Sequence, residues 1–290
     1  MPTKIIESRH NAAFKLLKDL VGGGRSRRPH QAAWCEGARL CESYVELVTG
    51  KSHPDDSIAP EPDRVTHPIL VASTDARLES IDTSVMAACA ATWLLDAKLF
   101  AEISQVETSS GWGLVIPVPA QAQPIARRPN DGHASVQGDV VILDRLQDPG
   151  NAGTILRSAA ASGISAVWAV TGTVDLWSPK VLRAAMGAHF VVEIVESMSE
   201  EAVLLRAHEL GVNVLATANS SNAVPLYAPT LNLCDRLAWI FGQEGDGVSN
   251  TLLARSQTVV IPQSDQVESL NVAAAASVCL FETLRRKRFA

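Results

Sequence analysis

The chain lacks several features that would place it quickly. Its 25 Lys and Arg are outnumbered by 31 Asp and Glu, giving a formal net charge of −6, so no global basic field attracts nucleic acid. An RNA partner would need local basic patches on an acidic body. The five cysteines (Cys35, Cys41, Cys89, Cys234, Cys279) are widely spaced, with no C-x-x-C pair and no nearby histidine set. That pattern argues against disulfides and zinc and for free thiols in a reducing compartment. No His/Asp/Glu group has ligand spacing, so no metal is expected. The N-terminal MPTKIIESRHNAAFK has no continuous apolar core, and no 18-residue apolar run follows, so neither a signal peptide nor a membrane span is expected and the reading is cytoplasmic. A dinucleotide fingerprint is missing too. In GQEGDG, Gly242 and Gly247 stand at the first and sixth positions, but Glu244 occupies the third, where its carboxylate would face a pyrophosphate. There is no G-x-x-x-x-G-K-[ST] loop, which removes the P-loop hydrolases.

What is present is a long chain, 290 residues, with 47% hydrophobic content, enough for two packed domains. Residues 1–118 alternate helical and strand-like runs: helices over Ser8–Val21 and Gly37–Thr49, a helix within Ser80–Ala91, and strands at Ala32–Glu36, Ile69–Ser73, Ser104–Glu107 and Gly113–Val118. Gly50–Pro68, with four prolines, reads as a surface insertion. Residues 119–138, rich in proline and polar residues, read as a linker. Residues 139–290 then repeat strand and helix: strands at Asp139–Asp144, Ala166–Val170, Phe190–Ile194, Val212–Ala216, Leu237–Phe241 and Thr258–Ile261, and helices at Asn151–Ser162, Ser178–Gly187, Glu200–Leu210 and Val272–Arg286. A β-α repeat of this kind predicts a parallel sheet covered on both faces, with ligands at the carboxyl ends of its strands.

Three segments of this second half carry a resemblance. LDRLQDPGNAGTILRSAAASGI (Leu143–Ile164), GQEGDGVS (Gly242–Ser249) and IPQSDQVESLNVA (Ile261–Ala273) resemble, in order and spacing, the three motifs of the SpoU/TrmH branch of the SPOUT methyltransferases. The resemblance implies an α/β fold whose C-terminal parallel-sheet domain contains a deep trefoil knot, a homodimer, and transfer of a methyl group from S-adenosylmethionine to a ribose 2′-hydroxyl of RNA. True knots are rare, so only the resemblance licenses that one. Residues 1–118 resemble the small ribosomal-protein-like α/β substrate-binding domain that precedes the catalytic domain in many members, through Ser8, Arg9, Asn11, Glu36 and Gly37. The two-domain layout favours ribosomal over transfer RNA. A non-catalytic RNA-binding or ribosome-assembly factor retaining the fold is the alternative.

The resemblance also assigns roles. Arg157 engages the acceptor hydroxyl. A guanidinium stays protonated well above neutral pH, so a cation binding the adjoining phosphate and the developing oxyanion suits it better than a base. Asn151, Glu244, Ser269 and Asn271 complete the catalytic set, with helix capping as the ordinary role of Asn151, Ser269 and Asn271. The cofactor would lie among strand-end loops contributed by Thr217, Ala218, Asn219, Phe241, Gly242, Glu244, Gly245, Ile261, Pro262, Gln263, Leu270 and Ala273. Two basic groups are candidates for RNA backbone contact: Arg25, Arg27 and Arg28 in a loop near His30, and Lys180 with Arg183 on one helix face. Relatives usually carry Met and Gly where this chain has Gln263 and Asp265, and Ser where it has Ala273; Asp265 adds negative charge beside the cofactor loop.

Overall fold

The computed structural model describes residues 1–48, 65–119, 138–264, 266 and 269–289. In chain order the first elements are β1 (Thr3–Ile6), α1 (Ala12–Val21), α2 (Gly24–Arg27), β2 (Ala32–Glu36), α3 (Ala38–Val48), β3 (Ile69–Ser73), α4 (Thr83–Ala88), β4 (Ala91–Leu95), α5 (Ala97–Ile103) and β5 (Trp112–Pro117). There follow β6 (Val140–Asp144), α6 (Pro149–Ser162), β7 (Ala166–Val170), α7 (Pro179–Ala185), β8 (Glu193–Met198), α8 (Glu200–Glu209), β9 (Asn213–Thr217), β10 (Val224–Pro225), β11 (Leu237–Gly242), α9 (Asn250–Leu253), β12 (Gln257–Val260) and α10 (Val272–Phe289).

The described residues fall into two compact units. Residues 1–119 and the segment Trp177–Val191 form one, and the remaining described residues from 138 onward form the other. The first unit holds a five-stranded mixed sheet in the order β1-β4-β3-β5-β2, with β2 and β5 paired antiparallel. Its strands and helices alternate as expected, but the assignments around residue 100 are corrected. Ser104–Glu107 is not a strand; the strand is Ala91–Leu95, and α5 follows it, started by Asp96, whose side chain accepts from the Lys98 amide. β1, aligned parallel to β4, was not anticipated. β2 is buried along its whole length, and α7 packs against it, which is why a segment late in the chain belongs with this unit. Phe190 of that segment meets Tyr44 edge to face at 5.2 Å. The expected surface insertion and linker lie mostly outside the described residues.

The second unit is a seven-stranded sheet, parallel throughout, in the order β10-β12-β9-β11-β6-β7-β8. Buried strands on both faces explain the near-continuous apolar runs VVILD and LAWIFG. Alternation along β11 sends Trp239 and Phe241 to one face and Ala238 and Ile240 to the other. The first pair stacks at 6.1 Å, and Trp239 Nε1 donates to Thr283 of α10 at 3.0 Å; the second pair joins Val203, Ala207 and Leu252 from α8 and α9. Each such fully buried large side chain contributes about 1.5–3 kcal/mol. The expected strand Phe190–Ile194 begins only at Glu193, because Ala188–Phe190 forms a 3-10 turn. Helix α10 runs against α6 and is anchored by Arg286, whose guanidinium donates to the carbonyls of Leu226 (3.0 Å), Ala228 (3.2 Å) and Leu231 (3.0 Å) while its Nε donates to Glu282 (2.8 Å).

Candidate active site

Because β12, β9, β11 and β6 are consecutive neighbours in one parallel sheet, their carboxyl ends lie side by side. The loops that leave them carry the residues expected to hold the cofactor. Thr217 ends β9, with Ala218 and Asn219 following; Phe241 and Gly242 end β11; Ile261, Pro262 and Gln263 follow β12. The β11 loop doubles back sharply. Gln243 and Gly247 exchange backbone hydrogen bonds at 3.1 and 2.9 Å, and Gly247 adopts φ 70°. A Cβ at Gly242 would lie 2.2 Å from the Gly247 carbonyl carbon, so only glycine lets the returning chain pass. At Gly245 a Cβ would meet nothing within 4 Å. The amides of Glu244, Gly245 and Asp246 make no hydrogen bond among the described residues.

A polar chain joins three residues that are far apart in sequence. Asn271 stands before α10, and its Oδ1 accepts from the amides of Ala273 (2.9 Å) and Ala274 (3.2 Å). With that oxygen committed to capping, its Nδ2 donates to Asn151 Oδ1 at 3.0 Å, and Asn151 Nδ2 in turn donates to Glu244 Oε1 at 2.8 Å. The polarity is set at both ends, by helix amides that only donate and a carboxylate that only accepts. Asn151 is therefore free of the capping role considered for it: α6 starts at Pro149, and Asp148 Oδ1 accepts from the Asn151 amide at 2.7 Å. Arg157, two turns further along α6, is exposed and makes no hydrogen bond or ion pair among the described residues. Ser269 is exposed and makes none among them either.

The remaining expected positions divide. Leu270 is 40% exposed, an apolar side chain held at the surface immediately before Asn271. Thr217 and Ala218 are half-buried, Asn219, Pro262 and Gln263 exposed, and Ala273 buried. Phe241 is buried with its ring on Trp239, so only its main chain faces the strand ends. Asp265 lies outside the described residues. Open amides, strand-end carbonyls and an exposed leucine suit a ligand with a flat heteroaromatic base and a polar sugar, and S-adenosylmethionine has both.

The basic candidates change most. Arg25 and Arg28 are exposed, but Arg27 is only 2% exposed, with Nη1 directed at the Ala32 carbonyl at 3.5 Å, so it is not available to a phosphate. Lys180 is exposed; Arg183 is half-buried, its Nη1 is enclosed, and burial lowers its pKa from the usual arginine value while Glu36 pulls the other way. The two do not share a solvated face. Three residues of the region went unremarked in the sequence: Asp144, Arg145 and Ser249. Asp144 is fully buried, and Oδ2 accepts from the Ser249 amide at 2.6 Å while Oδ1 accepts from Arg145 Nε at 2.9 Å. The hydrogen bond to Asp144 raises the Arg145 guanidinium further above its ordinary value. The one available signal was a carboxylate ending an otherwise apolar strand.

The SpoU rRNA methylase family matches residues 139–281. A Bacillus subtilis 23S rRNA guanosine 2′-O-methyltransferase is 32% identical over 191 residues, 65% of this chain and 71% of the relative. The chain belongs to the SpoU rRNA methylase family. A Synechocystis protein named as a tRNA/rRNA methyltransferase, itself uncharacterized, is 40% identical over 152 residues, covering 51% of this chain and 53% of that one. The chain thus spans about half the length of that relative. An S-adenosylmethionine-bound rRNA methyltransferase from Sinorhizobium meliloti shares the fold, with a TM-score of 0.75, 24% identity and 99% of each chain covered. Among the described residues no helix of this SpoU protein is long and apolar enough to cross a membrane, and no group of three or more metal-binding side chains occurs.

Proposed function

We propose that this SpoU-family protein is an S-adenosylmethionine-dependent RNA methyltransferase that methylates a ribose 2′-hydroxyl. The observation that carries the reading is the Asn271–Asn151–Glu244 chain, which joins all three family motifs at the carboxyl edge of one parallel sheet. The names of its relatives supply the reaction class. When bound, S-adenosylmethionine would supply an electrophilic methyl group. The residues of this chain would position and stabilise: displacement at carbon needs donor and acceptor close and collinear, and little else. The 244–246 amides and the main chain at 217–219 and 261–263 would hold the cofactor. Arg157, exposed and with no partner among the described residues, would bind the phosphate beside the acceptor ribose and stabilise the developing oxyanion. Asn151, held from both sides, would fix the acceptor, and the family resemblance assigns Ser269 to the acceptor side as well.

The finer reading follows from the same assignments. Ribosomal RNA is favoured as substrate, since the B. subtilis relative is named for 23S rRNA, and the first unit would select it through Arg25 and Arg28 of residues 1–118 and Lys180 of α7. A trefoil knot, a homodimer and a cytoplasmic location complete the proposal, on the strength of the family resemblance.

The test is methyl incorporation from labelled S-adenosylmethionine into ribosomal and transfer RNA from cells lacking the protein, with Arg157→Ala alongside. Label entering one pool and lost with the substitution supports the assignment. Cofactor binding without label in either pool would overturn the substrate class, and absence of both would leave a non-catalytic RNA-binding factor.

A further inference from the structure

We infer that Asp144 is a positioning residue that fastens the Glu244 loop to the strand from which α6 departs, so that Glu244 and Asn151 meet. The inference rests on the methyltransferase reading for its kinetic consequence, but the clasp itself is a property of the free protein. Asp144 lies opposite Gly242 in the β6–β11 register, so its carboxylate sits at the end of the ladder where the β11 loop begins. That loop returns to it: the Ser249 amide, at the far end of the turn, donates to Oδ2 at 2.6 Å. The two other donors come from one neighbour, Arg145, through Nε at 2.9 Å and Nη2 at 3.4 Å.

Arg145 is itself held in a conformation that needs support. Its φ is 56°, in the left-handed region that a side chain other than glycine or asparagine rarely adopts. The Arg145 amide donates to Thr173 Oγ1 at 3.1 Å, and its carbonyl accepts from Gln147 Nε2 at 2.8 Å. Its charge is also felt by Glu200 and by Asp246, the latter within the β11 loop. The turn that starts at Arg145 leads straight to Asp148, the cap of α6, and then to Asn151. One buried carboxylate therefore holds both arms of the Asn151–Glu244 contact, although it touches neither side chain. A full charge with no solvent exposure is retained in a core only when it is thoroughly paired, and here all its partners belong to these two loops.

The first readout is amide exchange in the free protein. In Asp144→Asn, whose carboxamide keeps one acceptor oxygen and so cannot serve both Arg145 and the Ser249 amide, the Gln243 and Gly247 amides should exchange about tenfold faster while those of β7 remain unchanged. The second is the single-turnover rate of methyl transfer with both substrates saturating, where displacing Glu244 by about 1 Å should cost about a hundredfold. Glu244→Gln and the double variant complete a cycle. If Asp144 acts through Glu244, the double variant is no slower than Glu244→Gln alone; a merely structural residue would give additive losses. Should Asp144→Asn fail to fold, Ser249→Pro removes the same amide donor at a residue whose φ of −60° suits proline, and the same exchange result is expected. Unchanged exchange at 243 and 247 would overturn the proposal, as would additive kinetic losses. An inactive wild-type protein would refute the methyltransferase reading, while the exchange result would still decide the clasp.

Discussion

Replacing Gly242 with alanine tests whether the β11 loop is set by backbone packing. The added Cβ would lie 2.2 Å from the Gly247 carbonyl carbon, 2.3 Å from the Val248 nitrogen and 2.4 Å from the Gly247 oxygen. All three are main-chain atoms, so no rotamer change relieves the clash. The loop must retreat by about 1 Å or more to recover van der Waals separation. That movement would strain or break the two Gln243–Gly247 hydrogen bonds, each worth about 1 kcal/mol, on top of about 1–3 kcal/mol for forcing volume into a packed site. A loss of about 3 kcal/mol should lower the melting temperature of a unit of this size by about 6–12 °C. Gly245→Ala is the matched control. Its Cβ meets nothing within 4 Å and its φ is not left-handed, so the free protein should keep its stability within about 0.5 kcal/mol. The assay is thermal unfolding of both variants without ligand, followed by titration with S-adenosylmethionine. Gly242→Ala should bind poorly because the loop has moved; Gly245→Ala should bind poorly only because its methyl obstructs the ligand. Equal melting temperatures for the two would refute the packing argument.

Arg157→Ala should abolish methyl transfer, by about a hundredfold or more, while leaving the melting temperature within about 1–2 °C, since the side chain is exposed and supports nothing among the described residues; measurable instability would reveal a structural role instead. Among the arginines of the first unit, Arg25→Ala and Arg28→Ala should each reduce the slope of log affinity for RNA against log salt by about 1, whereas Arg27→Ala should leave the slope alone and destabilise the unit. Glu282 is drawn down to about 2 by hydrogen bonds from Arg285 and Arg286. Its folded value lies below its unfolded one, so its contribution is complete above the ordinary glutamate range and is lost as pH falls from the ordinary value of 4.5 towards 2. In acid titrations, Glu282→Gln should be less stable than the wild type at neutral pH, and the gap should close across that window.

The second unit was largely legible because its strands are buried on both faces: VVILD, AVWAV and LAWIFG read as strands without reference to any partner. The first unit was harder. Ala91–Leu95 carries a threonine at its second position and follows a short helix, so its apolar content is diluted, while the Asp96 cap that separates it from α5 is a one-residue signal. Arg27 shows a different limit. Three arginines in four residues look alike as a charge run, yet α2 turns one of them inward to the Ala32 carbonyl and leaves its neighbours outside, a choice made by packing. Nor does chain order reveal that Trp177–Val191 covers β2, about 140 residues earlier.

At the site, sequence supplied identities and the sheet supplied adjacency. Asn151 and Glu244 are 93 positions apart, and Asn151 and Asn271 are 120 apart. They meet because β11 is inserted beside β6 and α10 returns along α6. Motif spacing names such residues but cannot say which of several polar partners each will choose. Glu244 takes Asn151, because the cap on α10 occupies the Asn271 oxygen and leaves its amide nitrogen to fill the Asn151 acceptor. That choice turns Asn151 so that its own amide nitrogen reaches the carboxylate. The helix cap thereby dictates the orientation of a side chain on a different helix, and a substitution at Asn271 that preserves capping but cannot donate, such as Asn271→Asp, should free Asn151 to rotate while α10 stays intact.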